Sequence, residues 1–267
     1  MRIVKALGYR IVLLSPVLLI LLLWQITTSL NSSVFFPTPV TIANRCIELW
    51  TSNRPDLFFL GETVYDDILP SVARLLLGWS IGAVAGIALG FVVGSSKLLS
   101  DLLNPVLQFL RSIPGPALIP IFIIIFGTGT AMRVTLIAFG SIWPVLINSI
   151  EAMKTVDPVT IATSKVLRLP RSARMTRIIF PACLPKVFAG LRVSLSLSVI
   201  LMVVSELVAS TDGIGNKIQS AQMMYMLTDV WCGILLLSLI GFTLNIIFVK
   251  VEARVLHWHS GSRGRMA

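Results

Sequence analysis

The sequence predicts an all-α integral membrane protein with six transmembrane helices and short cytosolic helices between two of them. Three observations predict it. Of 267 residues, 55% are hydrophobic and 13% charged, and the mean hydropathy is +0.89; soluble domains carry about 25% charged residues. Six apolar stretches, residues 11–30, 75–93, 105–126, 132–150, 187–209 and 230–249, each approach the ~20 residues needed to cross a ~30 Å hydrocarbon core. The basic residues are segregated. With the N-terminus in the cytosol, 15 of 22 Lys and Arg fall on the cytosolic side, and only Arg45, Arg54, Arg133 and Lys217 fall outside. That bias sets both termini inside and an even number of spans, and it accounts for the net charge of +10 by membrane orientation rather than by nucleic-acid binding.

Residues 1–30 begin like a signal peptide, with Arg2, Lys5 and Arg10 before an apolar run. No small-residue cleavage pattern follows in QITTSLNSS, so the segment reads as an uncleaved anchor. Residues 31–70 form an external stretch. In it Thr38 and Pro39 fit a helix N-cap and first turn, and Val40, Ala43, Ile47 and Trp50 repeat at helical spacing. This is expected to be an amphipathic helix at the outer interface. Residues 71–250 form the core and residues 251–267 a cytosolic tail, all within one membrane domain.

The second span carries Gly78, Gly82, Gly86, Gly90 and Gly94, every fourth residue. On a helix they make one smooth stripe that lets another backbone approach, within the chain or across a dimer; lipid offers no hydrophobic gain for such pairing, so close contact supplies it. The third span is interrupted by Arg111, Pro114, Pro116 and Pro120. Proline removes an amide donor and clashes with the preceding turn, and irregular backbone at membrane depth survives where it is buried in protein or lines a cavity. Either this span lines a translocation path, with Arg111, Pro114 and Pro120 on it, or it is a kinked helix with its proline end in the headgroups.

A polar insert, residues 151–186, separates the fourth and fifth spans and holds seven basic residues between Lys154 and Lys186. Asp157 and Pro158 fit an N-cap and first turn; Val159, Ala162, Val166 and Leu169 then repeat at 3, 4 and 3, opposite Lys165 and Arg168. A helix over 158–169 is ~18 Å long, too short to cross. A second short helix is expected from Pro170 to Phe180, with Arg171, Arg174 and Arg177 on one side. Either these helices lie on anionic headgroups or the first docks its apolar stripe into a cytosolic partner.

In the fifth span Ser194, Ser196 and Ser198 lack a neighbouring base, which fits packing hydroxyls, although Ser194 and Ser198 are also pathway candidates. Glu206, near its outer end, is either an acceptor for the following turn TDGIGN or a gate that touches solute. There is no GxxxxGK[ST] phosphate loop, and the only histidines are His257 and His259, without HExxH. Neither ATP binding by this chain nor a metal site is expected. The cysteines are Cys46 (external), Cys183 (cytosolic) and Cys232 (near the outer face), with no evident pairing or metal spacing.

Four ordered pieces resemble the permease subunit of a prokaryotic ABC importer, in the group that handles nitrate, sulfonates and taurine: Ser71, Arg74 and Gly78; Arg111, Pro114, Pro120, Gly127 and Gly129; Pro181, Leu184, Pro185, Gly190, Leu191 and Arg192; and Glu206, Leu207, Gly213, Ile214 and Gly215. The resemblance covers about residues 37–249. The loop between the fourth and fifth spans departs from it. Where the family has E-A-A followed four residues later by glycine, this chain has Ala162, Thr163 and Ser164, and Arg168 in place of the glycine.

The resemblance implies a type I importer fold in which residues 157–171 (Asp157, Pro158, Val159, Ala162, Lys165, Val166, Arg168, Leu169, Pro170 and Arg171) contact a dimer of cytosolic ATPase subunits. ATP and Mg belong to those subunits, so this chain by itself is not an enzyme. A second permease subunit, a copy of this chain rather than a different one, completes the pathway in the cytoplasmic membrane. An external binding protein delivers the solute, a small anion or related organic molecule. The alternative is a secondary transporter or channel without an ATPase, and a third is a structural subunit; only the importer needs a proline-bounded amphipathic helix in the cytosol.

Overall fold

The computed structural model describes residues 2–31, 35–51 and 61–258, with side chains from residue 15 onward except Ala209. The described residues are helical throughout apart from their connections. The order is α1 (Arg2–Leu30), α2 (Pro39–Trp50), a π turn (Val64–Ile68), α3 (Leu69–Gly94), α4 (Lys97–Arg111), a 3-10 turn (Gly115–Leu118), α5 (Ile119–Phe126), α6 (Thr130–Lys154), α7 (Pro158–Val166), α8 (Arg171–Arg174), a second π turn (Met175–Ile179), α9 (Phe180–Ala209), α10 (Ile214–Met223) and α11 (Leu227–Val255).

Among the described residues, four helical units are long and apolar enough to cross a membrane: Val64–Gly94, Thr130–Lys154, Arg171–Val208 and Leu227–Val255. The pair Lys97–Arg111 and Gly115–Phe126, bent by 79° at the break, makes a fifth when the two are counted as one broken span. Of the first expected span, Ser15–Leu30 is the described apolar part. The chain thus has two ends, one carrying α7 and one carrying α10.

Both π turns precede a proline, Pro70 and Pro181, whose ring would clash with the carbonyl four residues earlier, at Asp66 and Arg177. The widened turn accommodates the ring without ending the helix. The expected separate helix from Pro170 to Phe180 is therefore corrected: Arg171 begins the fifth span, and Pro181 and Pro185 lie within it.

The centre of the bundle is the α3–α6 pair, with α9 packed across both. The glycine stripe lies on this seam, inside the chain. A Cβ added at Gly78 would stand 2.7 Å from Ile137, and at Gly86 it would meet the carbonyl of Ile142 and the side chain of Val145 at 2.9 Å. Leu75, Ile137, Met202 and Phe248 close the core behind it.

At the α10 end, α2 packs on α11. Its N-cap is Thr38, whose hydroxyl accepts from the Thr41 amide at 3.2 Å. The stripe that the spacing selects is the exposed one, for Val40 and Ile47 face outward. Ile42 and Cys46, one turn apart on the other side, are buried against α11. Arg45 holds the pair together by donating to both Asp229 carboxylate oxygens, at 2.7 and 3.1 Å.

Candidate functional site: latch, groove and short helix

At the α10 end the turn after α9 is tied down by buried charge. Glu206 is fully buried. Its Oε1 accepts from Ser71 Oγ at 2.6 Å and lies 3.4 Å from an Arg74 guanidinium nitrogen, and its Oε2 accepts from the Gly215 amide at 3.0 Å. Ser71 Oγ also accepts from the Ile214 amide at 3.1 Å, and Asp67 accepts from the Gly213 amide at 2.9 Å. Arg74 and Arg133 both pair with Asp212, Arg133 at 2.8 Å. Lys217 stands 3.4 Å from Asp67. A carboxylate this deep is tolerable only because its lone pairs are filled and cations stand beside it.

The glycines make room. Gly213 has φ +103°, and a Cβ there would meet the Glu206 carboxyl at 2.6 Å. At Gly215 a Cβ would meet Glu206 Cβ at 2.7 Å. The S-x-x-R and E-L…G-I-G pieces of the sequence are thus one hydrogen-bonded unit, joined across more than 130 residues. Burial alone would raise the Asp212 carboxyl, but hydrogen bonds from Arg74 and Arg133 hold it below the ordinary carboxylate range. Asp67 and Asp212 were not selected from sequence; Asp67 stands one turn before Ser71, and that spacing was the available signal.

Three pathway candidates, Glu206, Ser194 and Ser198, stand away from the groove in this structure. Glu206 faces the turn and lines no groove. Ser194 and Ser198 are also fully buried. Ser194 accepts from Trp79 Nε1 at 2.8 Å and donates to the Leu191 carbonyl, and Ser198 donates to the Ser194 carbonyl at 2.8 Å. They are packing hydroxyls against α3, because the face of α9 that meets open space carries Leu197 and Ile200 instead.

The open space is a groove of about 540 Å³ beside the broken span. Arg111, Pro114 and Pro116 come from the break, Phe139, Trp143 and Asn148 from α6, and Leu197 and Ile200 from α9. Pro120 sits at the start of α5, away from the groove. Two donors in the lining lack partners among the described residues: the exposed Arg111 guanidinium, and the buried indole N–H of Trp143. The rest of the wall is largely apolar.

At the opposite end is α7. Asp157 caps it, accepting from the Val159 amide at 3.0 Å and from the Thr160 hydroxyl at 3.1 Å; these bonds hold its carboxyl below the usual range. Ser164 and, in part, Ile161 face the bundle, together with the preceding Val156. Val159 and Val166 point away, 69% and 81% exposed, and Leu167, Leu169, Ala162, Lys165, Arg168 and Arg171 are exposed around them.

The helix ends at Val166, three residues before the spacing predicts. The Leu169 amide donates to the Ser164 carbonyl at 3.1 Å and the Arg168 amide to the Lys165 carbonyl at 2.9 Å, the paired bonds of a Schellman end. That end needs a left-handed residue, and Arg168 takes it at φ +51°. Pro170 then holds Leu169 extended. Arg168 occupies the position at which the resembled family carries glycine, which takes this conformation without strain.

A membrane-spanning bundle with a groove at a broken helix, and a short helix carried clear at one end, is the form of a transport permease. The chain belongs to the family of binding-protein-dependent transport system inner membrane components, whose sequence profile matches residues 82–257. It is 31% identical to the aliphatic sulfonates transport permease protein SsuC of Bacillus subtilis, over 97% of this chain and 91% of that protein. It is 30% identical to the nitrate import permease protein NrtB of Synechocystis over 89% and 86%, and 27% identical to the taurine transport system permease protein TauC of Escherichia coli over 88% and 85%. The fold is that of the inward-facing MetNI methionine ABC transporter (TM-score 0.63, 17% identity, 71% of this chain and 94% of that one). The chain is accordingly a multi-pass permease subunit of a binding-protein-dependent ABC importer.

Proposed function

We propose that two copies of this chain face each other across the groove, that both termini lie in the cytosol, and that α7 of each copy docks into one subunit of a separate ATPase dimer. ATP is bound with Mg and hydrolysed there, and the chain itself catalyses nothing. Closure of the ATPases pushes the two α7 helices and turns the groove outward. The single observation that carries this reading is α7 itself: a capped helix, bounded by prolines, with Val159 and Val166 turned away from the bundle that supports it.

The docking groove on the ATPase is expected to be acidic. The exposed tip of α7 carries Lys165 and Arg168, with the exposed Arg171 just beyond Pro170, and its one acid, Asp157, is occupied as a cap. The loop lacks the family's acid and gains a guanidinium at the glycine position, so it favours its own ATPase over a shared one.

The solute is proposed to be a small organic anion, brought by an external binding protein. Relatives named for sulfonates, nitrate and taurine point to anionic solutes. Arg111 supplies an exposed unpaired cation beside apolar wall, which suits an anionic head with a compact apolar body rather than a cation. A cysteine at Val166 should cross-link to the ATPase in the assembled transporter. Cross-links confined to other segments would overturn the coupling assignment. Ligand screening of the external binding protein that assembles with this chain tests the solute class: retention of cations alone would refute it.

A further inference from the structure

Spacing shows no reason to pair two of the three cysteines in this chain, but the fold brings them together. Cys46 on α2 and Cys232 on α11 are 186 residues apart and share one small apolar cluster with Ile42, at 3% and 1% exposure. The Cys232 thiol donates to the carbonyl of Ile42 at 3.5 Å, and Ile42 is one helical turn before Cys46. Both cysteines are free in the structure. The third, Cys183, is at the α7 end of the bundle, against Met153.

The surroundings hold this pair in register. Arg45, the residue before Cys46, is locked to Asp229, three residues before Cys232. Trp24 and Trp231 pack beside them with ring centroids 5.2 Å apart and planes tilted by 53°. Two helices clamped on both sides of a thiol pair offer little freedom to either sulfur, which favours intramolecular pairing over any other fate.

We propose that Cys46 and Cys232 form a disulfide that staples the interfacial helix α2 to the last span. The inference rests on the proposed orientation, which puts this end of the bundle in the oxidising compartment outside the membrane. In the reaction, a thiolate of the pair attacks the disulfide of an external thiol oxidant and forms a mixed disulfide. The second thiolate displaces it. Both S–H bonds are lost, one S–S bond forms, two electrons pass to the oxidant, and the oxidant leaves as two thiols, having taken up the two protons. Because the pair is buried in the finished fold, the mixed disulfide forms during assembly, before α2 seats on α11, and seating then brings the second thiolate onto it.

The test is a two-step thiol map on the full chain from native membranes. Acid quenching and denaturation with N-ethylmaleimide label every free thiol; reduction and a heavier maleimide then label those released from disulfides. The expected result is first label on Cys183, second label on Cys46 and Cys232, and a linked 46–232 peptide before reduction. First label on all three cysteines would overturn the proposal. A separate arm checks orientation: Glu48→Cys in a Cys46→Ser/Cys232→Ser background should react with an impermeant maleimide in intact cells. Labelling only in broken cells would refute the orientation. Labelling in intact cells, with Cys46 and Cys232 free, would refute the disulfide alone.

Discussion

The turn after α9 and the tip of α7 are built in opposite ways. Around Glu206, buried amides and charges of the turn are paired within the chain: Ser71, Arg74, Gly215 and Asp67 together tie the 210–215 turn to the start of α3. Around Val166, apolar side chains stand in the open and one backbone position is strained. A closed network stabilises its own chain, and an open apolar tip gains only when something covers it. Substitutions at the first end should therefore damage folding, and those at the second should damage coupling while leaving the fold intact.

The largest effect is expected at Glu206. Glu206→Ala leaves Ser71, Arg74 and the Gly215 amide without their acceptor in a buried setting, and breaking such a unit costs roughly 3–5 kcal/mol. The protein should fail to accumulate in membranes or unfold at much lower temperature in detergent. Normal accumulation and thermal stability would show that the latch is dispensable to folding. Gly86→Leu should do comparable harm for a different reason, since even a Cβ there stands 2.9 Å from α6. Fluorescence-detected size-exclusion would show loss of the folded peak; a normal peak would mean that α3 and α6 can part without cost.

Next comes Val166→Asp. A charge placed in a desolvated groove costs several kcal/mol if unpaired, while on the free chain the side chain is in the open. The variant should insert and melt like the parent yet lose ATP-dependent uptake. Lys165→Ala, on the rim, should lose no more than about 1 kcal/mol of ATPase affinity. Equal loss in the two variants would erase the distinction between stripe and rim.

How much of this contrast is legible in sequence depends on how far each feature reaches. The four-residue spacing of five glycines identifies a close helix seam because the signal is local, and the caps at Thr38 and Asp157 are read for the same reason. The S-x-x-R and E…G-I-G pieces are visible as a resemblance, but their union is not, since the partners come from opposite halves of the chain. Periodicity fails where a membrane helix is apolar on more than one side. It selects Val40 and Ile47 on α2, which are exposed, and misses Ile42 and Cys46, which are buried. It also cannot tell that Ser194 faces Trp79 rather than the groove. Nor does spacing show that Pro181 is absorbed by a π turn, which lengthens the fifth span back to Arg171.

A smaller effect separates the ends by pH. Asp212 has a folded pKa below its unfolded value of ~3.9. Its contribution is therefore fully present above that value and is lost as pH falls through the folded pKa. Asp212→Asn should lower the melting temperature at pH 7, and the gap to the parent should close below about pH 4. A gap that stays constant into acid would mean that Asp212 is not held ionised by Arg74 and Arg133.

The smallest effect, and the one that most sharpens the comparison, is at Arg168. A non-glycine residue in the left-handed region costs about 1 kcal/mol, and nothing in the helix end requires a side chain there, because the Schellman bonds are made by the backbone. Arg168→Gly should therefore leave the global melt almost unchanged and slow amide exchange locally at Leu167, Arg168 and Leu169, whose N–H groups form that end. Uptake then discriminates two uses of the strained arginine. If its guanidinium meets an acidic ATPase groove, Arg168→Gly weakens complex formation, more so at low salt where the parent gains most from charge. If the arginine is merely tolerated, the variant couples as well as the parent or better, and the charge-matched ATPase is refuted while the α7 docking site itself stands.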